Sequence, residues 1–167
     1  KAFVVKGDPF PARDGAEVMS WIYTHNNPHY PKDNRPLIRA WDLGSGKLVW
    51  EKDFSELGSG GNDCGLCLLG DTIYYSTLFG YAATRRGQPG PKGLTAALDP
   101  LTGSVRWLTT DYYVTAGCTI SGRDGRLYLG GYNAPNAETK DRYVFCLDAR
   151  NGKLVWQSEP VPSAVNV

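Results

Sequence analysis

The chain has 167 residues, with 18 Lys and Arg against 17 Asp and Glu, for a formal net charge of +1. So even a balance excludes a general electrostatic grip on nucleic acid or on an anionic membrane. Gly and Pro number 20 and 11, and 41% of the residues are hydrophobic, a composition too apolar for disorder and too rich in turn formers for a helical bundle. Unbroken apolar runs are short, as in Leu66–Leu69, far below the roughly 20 residues that cross a bilayer, so no membrane span is expected. The sequence opens on Lys1 without a charged-then-apolar leader and reads as a processed product or an excerpt of a longer chain.

In chain order, Val18–Thr24 is the first segment with strand character, with Ala2–Lys6 a second, less regular one. Around the loop that follows lie His25, His29 and Asp33, residue types that can ligate a transition metal. Pro28, Pro31 and Pro36 hold that loop extended, where a four-residue spacing no longer puts both imidazoles on one side. We therefore read it as a solvated loop and carry His25 and His29 only as metal candidates. Further strands are expected at Leu37–Trp41, Cys64–Leu69, Thr72–Ser76, Leu94–Leu98, Ala116–Ser121, Arg126–Gly130 and Tyr143–Leu147. Gly70-Asp71 joins the second and third of these, and the stretch Gly122–Gly125 joins the fifth and sixth.

One pattern organises the chain: Asp, three residues, Gly, three residues, Trp. It occurs as Asp42–Gly46–Trp50, Asp99–Gly103–Trp107 and Asp148–Gly152–Trp156, with the Trp residues 57 and 49 positions apart. Self-similarity at that interval marks a repeated supersecondary unit. Each copy reads as a hairpin: Asp closes one strand and hydrogen-bonds the turn's own amides, Gly takes a positive φ, and Trp lies on the returning strand. Ahead of each turn stands a small residue, Ala40, Ala97 or Cys146. After it, period-2 alternation places Leu48 with Trp50, Val105 with Trp107 and Leu154 with Trp156 on one apolar side, and Val49, Arg106 and Val155 on the other. A large indole on the apolar side buries roughly 150–250 Å², which suits a wedge between neighbouring units.

Two strands ahead of each hairpin make units of four antiparallel strands, the blade of a β-propeller. We expect an all-β partial propeller with blades at about 1–52, 63–109 and 115–158, and with 159–167 starting a further blade or a tail. The stretches ALDPLTGSVRW and CLDARNGKLVW, and RAWDLGSGKLVW with Trp41 in place of the usual Leu, resemble the repeat of the pyrroloquinoline-quinone (PQQ) propeller family. That family includes quinone-dependent alcohol and sugar dehydrogenases as well as lipoprotein scaffolds that assist outer-membrane protein assembly. The resemblance implies a periplasmic or extracellular location. It makes the repeat residues structural, so fold does not settle chemistry. Three blades fall short of the 4–8 of a closed propeller. We therefore expect further blades, in the same chain, in another copy or in another protein, to complete the ring.

Function is expected on the side of the disc where the long connections emerge, near 26–36, 53–63, 79–93, 108–115 and 131–142. Arg85, Arg86 and Lys92 lie there in a segment read as an exposed loop, with an anionic partner as the alternative. Cys64 and Cys67, three apart on a strand, point to opposite faces and read as core residues rather than a metal pair. Cys67 and Cys118 align on the first strands of adjacent blades, so a disulfide between them is an expectation if their Cα atoms come within about 7 Å. Asn62-Asp63 is a candidate for an oxygen-ligand metal site, although such pairs are ordinarily turn residues. The Asp residues of the repeat are accounted for by turns, and no catalytic residue or cofactor is assigned. The expected role is a non-catalytic scaffold or binding module with a protein partner on the long-loop face. The alternative is a fragment of a quinoprotein dehydrogenase, for which PQQ and calcium would be the cofactors and the catalytic residues would lie largely outside this segment.

Overall fold

The computed structural model describes residues 2–6, 37–54, 56–57, 64–79, 92–114, 120–133 and 142–161. Its elements are β1 (Ala2–Lys6), β2 (Leu37–Trp41), β3 (Leu48–Asp53), β4 (Cys64–Leu69), β5 (Thr72–Phe79), β6 (Lys92–Leu98), β7 (Val105–Thr109), β8 (Tyr112–Val114), β9 (Ile120–Arg123), β10 (Arg126–Asn133), β11 (Tyr143–Asp148) and β12 (Leu154–Gln157). The described residues are all-β, and none of them forms a helix long and apolar enough to cross a membrane. Three antiparallel sheets run in the orders β1-β2-β3, β4-β5-β6-β7 and β12-β11-β10-β8, with β9 also on β10. They are three consecutive blades of a partial propeller.

The expected hairpins form, and their register shows why a small residue precedes each turn. Ala40 lies directly across from Trp50, Ala97 from Trp107 and Cys146 from Trp156. Those three small side chains are at most 1% exposed, because a bulkier one would displace the ring beside it. In all three hairpins the register then shifts, so that Trp41 pairs with Leu48, Leu98 with Val105 and Leu147 with Leu154. Val49, Arg106 and Val155 are the extra residues of these bulges. The bulge corrects the expected alternation. Leu48 and Trp50 sit across from adjacent, oppositely facing residues of β2, and Leu48 is 51% exposed while Trp50 is buried.

Each apolar core is an interface between consecutive blades. Ile38, Ala40, Trp50 and Phe54 of blade 1 meet Ile73, Tyr75, Leu94, Ala96 and Leu98 of blade 2. The other face of blade 2 contributes Tyr74 and Ala97, with Cys67, Leu69 and Trp107, to a second core against Leu127, Leu129, Phe145 and Leu147 of blade 3. Tight turns close β2–β3, β4–β5, β6–β7, β9–β10 and β11–β12 on one edge, where successive Asp-to-Gly turns meet the preceding blade's indole. By antiparallel pairing, chain links between Lys6 and Leu37, Phe79 and Lys92, and Asn133 and Tyr143 leave from the opposite edge.

The strand beside β2 is Ala2–Lys6, the less regular of the two segments expected ahead of the first hairpin; Val18–Thr24 lies outside the described residues. Two further expectations change. The stretch 108–115 is not a plain connection, because Tyr112–Val114 pairs with Gly131–Asn133. It is drawn in by burial, with Tyr113 and Val114 at most 1% exposed, and by hydroxyls of blade 2. Thr95 Oγ1 donates to the Tyr112 carbonyl at 2.7 Å, the Val114 amide donates to Ser76 Oγ at 3.0 Å, and the two hydroxyl oxygens lie 2.8 Å apart. Finally, the turn between β9 and β10 is only Asp124-Gly125, with φ of 51° and 71° at its two residues. Those are the two left-handed positions that a two-residue hairpin requires. The shorter turn moves Ser121, rather than Cys118, into the place equivalent to Cys67: Cys67 faces Tyr74 and Ser121 faces Tyr128.

Candidate functional site

The three Asp residues of the repeat build the same device. The Gly46, Gly103 and Gly152 amides donate to the carbonyls of Asp42, Asp99 and Asp148, each at 2.8 Å. Asp42 Oδ1 accepts from the Ser45 amide at 2.9 Å, Asp99 Oδ1 from the Leu101 and Thr102 amides at 2.8 and 3.0 Å, and Asp148 Oδ1 from the Arg150 amide at 2.9 Å. Arg106, with further help from turn amides, holds the Asp99 carboxyl down to about 2, and Arg150 with its own amide does the same for Asp148. The Ser45 hydroxyl and amide lower Asp42. Carboxylates so engaged are turn closures, not general bases.

The indoles lock the blades through these turns. Trp50 Nε1 donates to the Pro100 carbonyl at 3.1 Å and Trp107 Nε1 to the Ala149 carbonyl at 2.9 Å, in each case the residue after Asp. Each ring lies on the Gly of the next turn: a Cβ on Gly103 would stand 2.6 Å from Trp50 Cε3, and one on Gly152 2.6 Å from Trp107 Cε3. Glycine is thus fixed twice, by its positive φ and by the ring above it. Tyr74 Oη joins Trp107 on the Ala149 carbonyl at 3.0 Å.

Between blades 2 and 3, on the tight-turn edge, opens a cleft of about 630 Å³ bordered by Asp71, Tyr74, Arg106, Trp107, Gly125 and Arg150. Arg106, the bulged residue of its hairpin, reaches across two turns. It donates to Asp71 Oδ1 at 3.1 Å, to Asp99 Oδ2 at 2.9 Å and to the Thr72 hydroxyl. Arg150 Nη2 donates to Asp148 Oδ2 at 2.9 Å. Both guanidiniums are matched by carboxylates, so the charges bordering the cleft are balanced, and no nucleophile and base are brought together along the residues that line it.

Of the expected site residues, His25, His29, Asp33, Asn62, Asp63, Arg85, Arg86 and Cys118 lie outside the described residues. Cys64 and Cys67 do face opposite ways: Cys64 packs on the core between blades 1 and 2, Cys67 on the core between blades 2 and 3. Cys67 is a free thiol, and burial pushes it up to about 11, the behaviour of an inert structural cysteine. The described residues do not fit a quinone and calcium site. No three His, Cys, Asp or Glu side chains among them converge on one point, and Trp50 and Trp107 are taken up as wedges between blades. Tyr74, Arg106 and Ala149 are the residues whose roles the sequence reading missed. A signal for Tyr74 does exist, since Tyr74 and Tyr128 fall two residues after Thr72 and Arg126 at equivalent places in the two repeats.

Similarity to solved structures agrees with this geometry. The chain is similar to a quinohemoprotein alcohol dehydrogenase from Pseudomonas putida, at 21% identity over 76% of this chain and 18% of that one, with a TM-score of 0.54. It is similar to a second such enzyme from Comamonas testosteroni, at 19% identity over 74% and 18%, with a TM-score of 0.52. A europium-containing methanol dehydrogenase matches at 18% identity over 74% and 22%, with a TM-score of 0.52. The chain spans about a fifth of the length of these proteins. No protein-family model and no curated protein sequence matches it. These likenesses show the fold, that of a β-propeller, of which the described residues form three blades.

Proposed function

We propose that this chain is a non-catalytic scaffold or binding module, a run of blades from a larger extracytoplasmic propeller that offers a protein-binding surface on its long-connection edge. The observation that supports this reading is the use made of the repeat. The Asp residues close their own turns, and Trp50 and Trp107 join blade to blade, so the repeat residues build a rigid frame. Such a frame leaves recognition to the connections on the opposite edge. The periplasmic or extracellular location rests on the family resemblance alone.

The second reading, part of a quinone-dependent dehydrogenase, is favoured by the likeness in fold to the alcohol dehydrogenases. It needs catalytic residues beyond the described ones. Titrating the chain with PQQ and calcium while recording the absorption spectrum separates the two. The scaffold reading expects no saturable spectral shift, whereas saturable binding at one quinone per chain overturns it.

A further inference from the structure

The turn between β11 and β12 holds the sequence's one Asn-Gly pair, Asn151-Gly152. Such a pair carries a reaction within its own atoms, because the backbone nitrogen after Asn can attack the side-chain amide carbon and glycine has no Cβ to shield that nitrogen. The nitrogen gives up its proton and bonds to Asn151 Cγ, the side-chain nitrogen leaves as ammonia, and a cyclic imide remains. Water then opens the imide. Opening at Cγ leaves aspartate on an unchanged backbone. Opening at the main-chain carbonyl leaves isoaspartate, whose backbone runs through the former side chain and is longer by a methylene.

In the folded turn both reacting groups are engaged elsewhere. The Gly152 amide donates to the Asp148 carbonyl at 2.8 Å, so the attacking nitrogen shares the proton it must lose. Asn151 Oδ1 accepts from the Lys153 amide at 2.9 Å, which turns the side-chain carbonyl to the amide two residues on. The Asp148 amide closes the turn on the Lys153 carbonyl at 2.8 Å. Asn151 is exposed while Gly152 is buried, so the geometry of the turn, and not access of water, withholds the reaction. The indole of Trp107 lies on that glycine and fixes the turn against blade 2. The two other turns of the repeat fill the same place with hydroxyls: Ser45 Oγ accepts from the Lys47 amide at 3.4 Å and Thr102 Oγ1 from the Ser104 amide at 3.2 Å. Only the third copy uses an amide there, and only that copy is open to this chemistry.

We propose that Asn151-Gly152 is a site of spontaneous deamidation gated by the contact between blades 2 and 3, closed while Gly152 lies under Trp107 and reactive when that contact opens. Local opening exposes such a turn far more often than global unfolding does. Aspartate is the mild product, since its carboxylate still accepts from the Lys153 amide. Isoaspartate is not. Its extra methylene lies inside the ring closed by the Asp148 carbonyl and the Gly152 amide, so that bond and the seat of Gly152 under the indole are not both restored. A transient parting of two blades is thereby made permanent. The site belongs to the blade frame and does not depend on whether the long-connection edge binds a protein or a quinone.

The test follows residue 151 by peptide mass spectrometry, which reads the change from amide to acid and separates aspartate from isoaspartate by fragmentation. The 167-residue chain is incubated at mildly alkaline pH, where the attacking nitrogen loses its proton more readily, both folded and in unfolding urea. Conversion is expected to be about tenfold or more slower in the folded chain, because only its open fraction reacts. Two mild variants then separate local from global opening. Trp107→Phe keeps a ring at the interface of blades 2 and 3 but loses the bond to Ala149, and is expected to convert several-fold faster than wild type without urea. Trp50→Phe makes the same change between blades 1 and 2 and is expected to leave the rate at residue 151 near that of wild type. The isoaspartate form, made in urea and returned to buffer, is expected to fail to refold or to unfold at a lower urea midpoint than the unreacted chain. Equal rates in the folded and unfolded chain overturn the proposal. Equal acceleration by the two Phe variants also overturns it, as does an isoaspartate form as stable as the unreacted chain.

Discussion

Trp107 and Gly152 define the contact on which the fold turns. The indole of one blade lies on the bare glycine of the next, and its Nε1 reaches the Ala149 carbonyl at 2.9 Å. Trp50 and Gly103 repeat it one blade earlier, with the Pro100 carbonyl as acceptor. A motif three residues deep thereby fixes both a turn within one blade and the angle at which the next blade docks.

Truncating the three indoles separates the covered from the uncovered. Trp107→Ala or Trp50→Ala empties a packed interface and strands a carbonyl, and is expected to destabilise the chain by about 3–5 kcal/mol. Trp156→Ala, at a residue 45% exposed, is expected to change stability by about 1 kcal/mol or less. Urea unfolding of the three variants at low protein concentration checks the order; equal losses at all three would mean that the indoles act within blades rather than between them.

Glycine at the turn has two causes that substitution can divide. Gly125 and Gly152 both sit at φ +71°, but Gly125 has nothing within 4 Å of its missing Cβ, whereas at Gly152 that atom would stand 2.6 Å from Trp107 Cε3. Gly125→Ala is expected to lose about 1–2 kcal/mol to left-handed strain. Gly152→Ala loses that and about 1–3 kcal/mol more, from the ring it displaces. The same denaturation measurement reads the difference, and it should shrink when Trp107 is already Ala.

Ser76 ties the split first strand of blade 3 to blade 2. Its Oγ accepts from the Val114 amide at 3.0 Å and lies 2.8 Å from Thr95 Oγ1, all in a fully buried setting. Ser76→Ala leaves that amide without its partner, so a loss of about 1–3 kcal/mol is expected. Hydrogen exchange at Val114 should rise more than at Leu129, which lies in the same core but whose amide does not bond Ser76.

Much of this frame was legible in the residues. The thrice-repeated Asp, Gly and Trp place the β2–β3, β6–β7 and β11–β12 hairpins, because the turn they build is local and each residue has a physical reason to be there. The small-residue column at Ala40, Ala97 and Cys146 likewise signals the ring opposite. What escaped depends on register between strands. The bulges at Val49, Arg106 and Val155 put Leu48 on the face opposite Trp50, and no period-2 count can see an inserted residue. The two-residue turn at Asp124-Gly125 shifts Ser121 into the place assigned to Cys118. Tyr112–Val114 becomes a strand through hydroxyls from another blade. The close approach at Gly131, where a Cβ would fall 1.7 Å from the Tyr113 carbonyl oxygen, has no local signal either. The candidate ligands His25, His29, Asn62 and Asp63 belong to the long connections, whose sequence carries no repeat to align.

Acid should loosen this frame through its turns. Arg106 and Arg150, with turn amides, hold the Asp99 and Asp148 carboxyls down to about 2, against an ordinary value of 3.8. Above the ordinary value both the folded and the unfolded chain keep these groups ionised, and the stabilisation is fully present. As pH falls from about 4 towards 2 the unfolded chain takes up protons first, which draws the equilibrium to it; below about 2 the contribution is gone. Solvent screens these rim carboxyls, so the slope is modest. Asp99→Asn retains an oxygen for the Leu101 and Thr102 amides while ending the ion pair with Arg106. The urea midpoint followed from pH 5 to pH 2 is therefore expected to fall less steeply in that variant than in wild type. A slope unchanged by Asp99→Asn would assign the acid sensitivity to carboxylates elsewhere in the chain.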